Sequence, residues 1–152
     1  MYKNLVDFTK KLYKNSENIP LHEPFFDHDE KKYLEEVIDS TFVSSVGKTI
    51  KIFEDEIKNF TSSKYAIATV NGTSALHTSL KMSGVSINDE VITQSLTFVA
   101  TSNAITYCGA IPNFLDVDKD TLSLSPECLR EFLSSHCEMR QDGFCWNKLS
   151  NR

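Results

Sequence analysis

The 152-residue chain has no run of about 18 consecutive apolar residues, so it offers no candidate membrane-spanning helix. Its first residues, MYKNLVDFTKKLYKN, lack the apolar core of a secretory leader. Positive charge is not in excess: the formal net charge is −5, which leaves no electrostatic footprint for DNA or RNA. The four cysteines, Cys108, Cys128, Cys137 and Cys145, contain no C-x-x-C pair and are expected as free thiols. His136 and Cys137 beside Cys145 lack the ligand spacing and the second half-site of a zinc centre. Neither an internal repeat nor a low-complexity tract occurs. These absences lead to the expectation of a cytoplasmic protein with no nucleic-acid or membrane partner.

What is present is ordinary for a globular domain: 40% hydrophobic and 24% charged residues, in a chain long enough for one core. Leu5, Phe8, Leu12 and Tyr13 make a loose helical stripe, which Asn15-Ser16-Glu17-Asn18 interrupts. Pro20 and Pro24 keep residues 19–25 extended. Asp27 with Glu30 reads as a capping box ahead of Tyr33, Leu34, Val37 and Ile38, in a helix ending near Ser40. Ile50, Phe53, Ile57 and Phe60 lie on one face of a helix over 49–60.

From Tyr65 the pattern changes. Strands are expected at 65–70, 90–94 and 112–117, with helices at 73–83 and about 98–107 between them. Gly84 and Gly109 stand where those helices should stop. This alternation predicts βαβ units, a parallel sheet and a ligand site at the strands' C-terminal ends. Ser125-Pro126 opens a further helix whose inner face is Leu129, Phe132 and Leu133. Beyond Cys137 no clear periodicity remains.

The stretch around which this organises is Val70-Asn71-Gly72-Thr73-Ser74-Ala75-Leu76. Gly72 permits a tight turn and close approach of a ligand to the backbone. Thr73 or Ser74 can cap the following helix, whose first N–H groups suit an anion, phosphate above all. Phe98 follows the next strand and can cover a flat ligand. An anion cradle beside an aromatic plate suits a planar, phosphorylated cofactor.

Other motifs fall short. Gly47-Lys48-Thr49 would need a glycine at position 42 to make a P-loop, and Phe42 stands there. A turn before a helix is the better account, with a nucleotide hydrolase as an outside alternative. Asp116 to Asp120 with Glu127 imitates a calcium loop, but its sixth position is Thr121 rather than glycine. His77 reads as a packed or surface histidine rather than a catalytic one. His22 and Glu23 could reach a ligand, but nothing in the sequence partners them.

The segments IPLHEPFF, FVSSVGKTIKIFEDEIKNF, AIATVNGTSALHTSLKMSGVSINDEVITQSLTFVATSNAITYCGAIPNFLDVD and the Ser-Pro-Glu helix start resemble the DegT/DnrJ/EryC1/StrS aminotransferases, from about residue 19 to 133. The resemblance implies the α/β fold of the aspartate-aminotransferase-like large domain, three-layer α/β/α with a mostly parallel sheet. It divides the chain into an N-terminal arm (1–26), the start of the pyridoxal-phosphate-binding large domain (27–137) and a truncated connecting segment (138–152). It implies pyridoxal 5'-phosphate as cofactor, with Gly72, Thr73 and Ser74 at its phosphate and Phe98 on its ring. Phe42 to Gly47 match a segment near the substrate pocket.

The implied partners are a nucleotide-linked 4-keto sugar, glutamate as amino donor and a second copy in a homodimer. The Leu21-His22-Glu23-Pro24 opening resembles the branch acting on UDP-linked 4-keto-6-deoxy-N-acetylhexosamines. No lysine here stands in the context of the family's Schiff-base lysine, so no catalytic residue is assigned. The chain is expected to be an N-terminal part, inactive alone; a non-catalytic phosphate- or nucleotide-binding module is the alternative. A histidine in the lysine's place would make a dehydratase, a choice these residues leave open.

Overall fold

The computed structural model describes residues 2–14 and 17–152; Asn15 and Ser16, part of the expected break after the first helix, lie outside the described residues. The chain separates into two units, Met1–Phe53 and Glu54–Arg152.

In the first unit, α1 (Lys3–Leu12) and α2 (Asp29–Asp39) are the two expected helices. The capping box is half made. The Glu30 carboxylate accepts the Asp27 backbone N–H at 3.2 Å, as such a box requires. The cap position itself belongs to His28, at φ +92 and without a side-chain bond, because the helix begins at Asp29. Ser40 closes it, as expected. Tyr33, Leu34 and Ile38 form a face that remains exposed. Residues 42–47 are a turn: the Gly47 N–H donates to the Ser44 carbonyl at 3.2 Å. A Cβ at buried Gly47 would stand 3.0 Å from the Phe42 carbonyl, so tight packing accounts for this glycine. Helix α3 (Lys48–Thr61) follows the turn, and the division between the units falls inside it. The Gly-Lys-Thr triplet is therefore a turn and a helix start, with no strand before it among the described residues.

The second unit holds α4 (Gly72–Met82), β1 (Glu90–Gln94), α5 (Val99–Tyr107), β2 (Ile111–Leu115), α6 (Pro126–His136), β3 (Cys137–Met139) and β4 (Cys145–Asn147). Strands β1 and β2 pair in parallel, from Glu90 opposite Ile111 to Gln94 opposite Leu115, with α5 as their crossover. The buried face of α5 is Ala100, Ala104 and Ile105, and α4 packs on this helix. Two alanines at i and i+4 let a neighbour approach closely. Ile105, Cys108 and Ala110 make the core, against Leu80, Val85 and Val91.

The expected strand at 65–70 is not formed. Among the described residues, its hydrogen bond to a distant residue is the Ala68 N–H donated to the Glu54 carboxylate at 2.9 Å. Ile67 and Val70 are 83% and 87% exposed. A strand exists only by pairing, and β1 and β2 pair with each other alone among the described residues. The run has strand composition and no strand partner among the described residues. Likewise Leu133, expected on the inner face of α6, is 38% exposed, while Leu129 and Phe132 are half-buried.

Both helix-stopping glycines are confirmed, Gly84 at φ +89 and Gly109 at φ +75. At Gly109 an added Cβ would also lie 2.8 Å from Ile87 Cγ1. Gly109→Ala therefore meets a left-handed backbone penalty of about 1–2 kcal/mol and a clash as well. The expected outcome is a loss of at least about 2 kcal/mol in urea unfolding. Gly84→Ala, with open space at its Cβ, should lose only the backbone part.

Candidate functional site

The start of α4 is where the sequence places an anion cradle, and its cap differs from the expected one. The N-cap is Asn71, in extended conformation, whose Oδ1 accepts the Ser74 N–H at 2.9 Å. Thr73 and Ser74 lie within the first helical turn instead of capping it. The correction frees their side chains: neither hydroxyl has a hydrogen-bond partner among the described residues. The Ala75 N–H is used by the Asn71 carbonyl, which leaves the N–H groups of Gly72 and Thr73 as the unspent donors of the turn. No acidic residue stands in this turn to repel an anion.

Gly72 also needs a revised reason. It is not among the positive-φ glycines, so the turn does not require glycine for its backbone. A Cβ there would meet nothing within 4 Å. What glycine supplies is unfilled space directly over two free N–H groups.

Phe98 stands at the N-cap of α5 with backbone in the β region, and the residue is 78% exposed. The loop that carries it is fixed from β1: the Gln94 side-chain amide donates to the Leu96 carbonyl at 2.6 Å and to the Leu122 carbonyl at 3.2 Å. Thr97 and Thr101 share a hydroxyl bond of 3.0 Å across the cap. Gln94 went unnoticed in the sequence, since a glutamine at a strand end carries no pattern. Gly72, Thr73 and Ser74 thus stand on one helical turn, and Phe98 at the N-cap of the helix packed against theirs. His77 meets the Tyr107 ring edge-on at 5.9 Å, linking α4 to the end of α5 as a packed histidine.

The acidic loop at 116–120 is occupied with itself. Asp118 Oδ1 accepts the N–H groups of Asp120 and Thr121 at 3.0 and 2.8 Å, and these bonds hold its carboxyl below the ordinary range. The loop bends the chain back so that the Ser125 N–H reaches the Asp116 carbonyl, and Ser125 caps α6 through the Cys128 N–H at 3.2 Å.

A parallel strand pair joined by a crossover helix, with a further helix packed on that crossover, defines the class as an α/β unit. Residues 24–137 match the DegT/DnrJ/EryC1/StrS aminotransferase family, and the chain belongs to it. It is 44% identical over 109 residues to GDP-perosamine synthase of Vibrio cholerae, covering 72% of this chain and 30% of that protein. The aminotransferase from Psychrobacter cryohalolentis superposes with a TM-score of 0.67 at 35% identity, over 73% of this chain and 29% of that one. Spr1654 of Streptococcus pneumoniae, in its PLP form, gives 0.63 at 27% identity, over 75% and 29%. The fold is accordingly that of the aspartate-aminotransferase-like large domain, and the family's cofactor is pyridoxal phosphate. The chain spans about 30% of the length of the curated relatives it matches.

Proposed function

We propose that this chain is the cofactor-phosphate-binding part of a pyridoxal-phosphate-dependent aminotransferase acting on a nucleotide-linked 4-keto sugar. The observation that carries the reading is the first turn of α4. Two free N–H groups, two uncommitted hydroxyls and an open glycine face outward from a turn without acidic residues. The donor set fits a phosphate dianion, which needs several N–H and O–H donors and room at the backbone.

In this proposal the Gly72 and Thr73 N–H groups and the Thr73 and Ser74 hydroxyls hold the phosphate. Phe98 covers the pyridine face and keeps water from it. The bound cofactor supplies an electron sink and a carrier for the amino group. The chain's own contribution is to bind and orient. Turnover is not assigned to it alone, since none of its lysines has the family context. The UDP-linked N-acetylhexosamine branch rests on Leu21-His22-Glu23-Pro24; glutamate as donor and assembly as a homodimer belong to the same proposal. A cytoplasmic setting suits four free cysteines. No described helix is long and apolar enough to cross a membrane.

Pyridoxamine 5'-phosphate tests the reading, because it carries phosphate and ring but no aldehyde to react with surface lysines. Saturable quenching of the intrinsic fluorescence is expected, and pyridoxamine without phosphate should give none. Gly72→Ala should keep the helix, with circular dichroism unchanged, yet weaken binding by at least about tenfold by filling the approach to the backbone. Equal binding of the phosphorylated and unphosphorylated forms would discard the cradle.

A further inference from the structure

We infer that Cys137 and Cys145 are a reversible redox pair, closing to a disulfide across the β3–β4 hairpin when a small-molecule disulfide is the oxidant. The register places Cys137 opposite Asn147 and Cys145 opposite Met139, so the two cysteines are diagonal neighbours on one face. Twist in a two-stranded ribbon is large and makes the two diagonals unequal. The hairpin's ladder bonds run from the Arg140 N–H to the Phe144 carbonyl and from the Lys148 N–H to the His136 carbonyl, so Cys137–Asn147 and Met139–Cys145 are the non-hydrogen-bonded pairs, whose side chains stand closer. Both cysteines line one cavity of about 420 Å³, with Glu90, Phe132 and Phe144.

The other two cysteines are excluded by place. Cys108 is buried in the core. Cys128 lies in the first turn of α6 and Cys137 just past its end, about 13 Å apart along the helix axis. The pair also has an order of reaction. Cys145 is exposed, whereas burial and the adjoining Cys145 thiol push the Cys137 thiol up. Cys145 thiolate attacks the small disulfide and releases one reduced thiol. Cys137, losing its proton to water, then displaces the second and forms the Cys137–Cys145 bond. Two protein thiols are oxidised and one disulfide is reduced to two thiols, so electrons and protons balance.

The closed bond would staple the hairpin whose Asn147 reaches β1. Cross-links of this kind in an intracellular setting are transient and sensing rather than structural.

The test is oxidation of the folded chain by glutathione disulfide, followed by acid quench and peptide mapping. The expected product is the 137–145 cross-link, losing two hydrogens and restored by dithiothreitol. Cys145→Ser should abolish it, and Cys137→Ser should leave a lasting glutathione adduct on Cys145. The control is the same reaction in denaturant. There Cys128 and Cys145 are nearly equidistant in sequence from Cys137, so loop closure favours neither and pairing should become about equal. A lasting adduct on Cys145 in the unsubstituted protein, cross-links to Cys108 or Cys128, no oxidation, or the same selectivity in denaturant would each overturn the pair.

Discussion

Replacing Thr73 and Ser74 together by alanine should weaken pyridoxamine 5'-phosphate binding by about ten- to a hundredfold and leave the fold untouched. The two halves of this expectation have separate causes. A hydrogen bond to a charged partner contributes about 1.5–3 kcal/mol, and two hydroxyls are removed while two N–H groups remain. One such bond corresponds to roughly a tenfold change or more, and non-additivity keeps the pair below the full sum. The helix is spared because Asn71, not Thr73 or Ser74, satisfies its first turn. Alanine is also the better helix former at both places. Unfolding in urea should shift by no more than about 0.5 kcal/mol. Had either hydroxyl been the cap, stability and binding would fall together. Parallel loss in both measurements would therefore reassign these residues to structure, and unchanged binding would remove them from the site.

The elements that could be read from sequence are those whose signals are local. Ser125-Pro126 specifies a cap and a first turn through two adjacent side chains, and α6 begins there. Gly84 and Gly109 end their helices because only glycine enters the left-handed region without penalty. The start of α4 was legible as a place, but the residue that caps it was not. Asn, Thr and Ser are all good caps, and the choice among them depends on which residue adopts extended backbone, a one-residue matter of register. The strand at 65–70 failed for the opposite reason. Its composition is right, but pairing is a property of two segments, and Tyr65 to Val70 has no strand partner among the described residues. The exposed apolar faces of α2 and α3 show the same thing: a helical stripe predicts burial only where something covers it.

The β3–β4 hairpin had a signal that periodicity could not register, because three-residue strands are too short to show a period. Asp142-Gly143 is a turn dipeptide, and Gly143 takes φ +86 in the loop between Arg140 and Phe144. Arg140 lies over the Trp146 ring at 3.4 Å, a cation–π contact across the same hairpin. Neither residue suggested a strand alone; together they close one.

Among the described residues the side-chain hydrogen bond from that hairpin to the parallel strand pair runs to the Glu90 carboxylate, and Asn147→Ala should release it. Asn147 is buried and donates its amide to Glu90 Oε2 at 2.7 Å, while Asn113 donates to the same oxygen at 3.1 Å. Burial raises the Glu90 pKa, but hydrogen bonds from Ser150, Asn147 and Asn113 and the charge of Arg152 outweigh it, so the carboxyl stays below its ordinary 4.5. Removing the amide withdraws one charge-assisted bond of about 2 kcal/mol. Amide exchange in 137–147 should then accelerate by roughly thirtyfold, with the amides of α5 unaffected.

The pH dependence has a defined sign. A carboxyl whose pKa is lower folded than unfolded contributes stability that is complete above the unfolded value. The contribution is lost as pH falls below 4.5 and through the lower folded value. Protection of the hairpin should therefore decline over that acidic range in the unsubstituted protein. In Asn147→Ala the decline should be shallower, since the folded pKa moves back toward 4.5. Equal acid dependence in the two proteins would mean that Glu90 does not hold the hairpin, and that the Arg140–Trp146 contact and the ladder suffice.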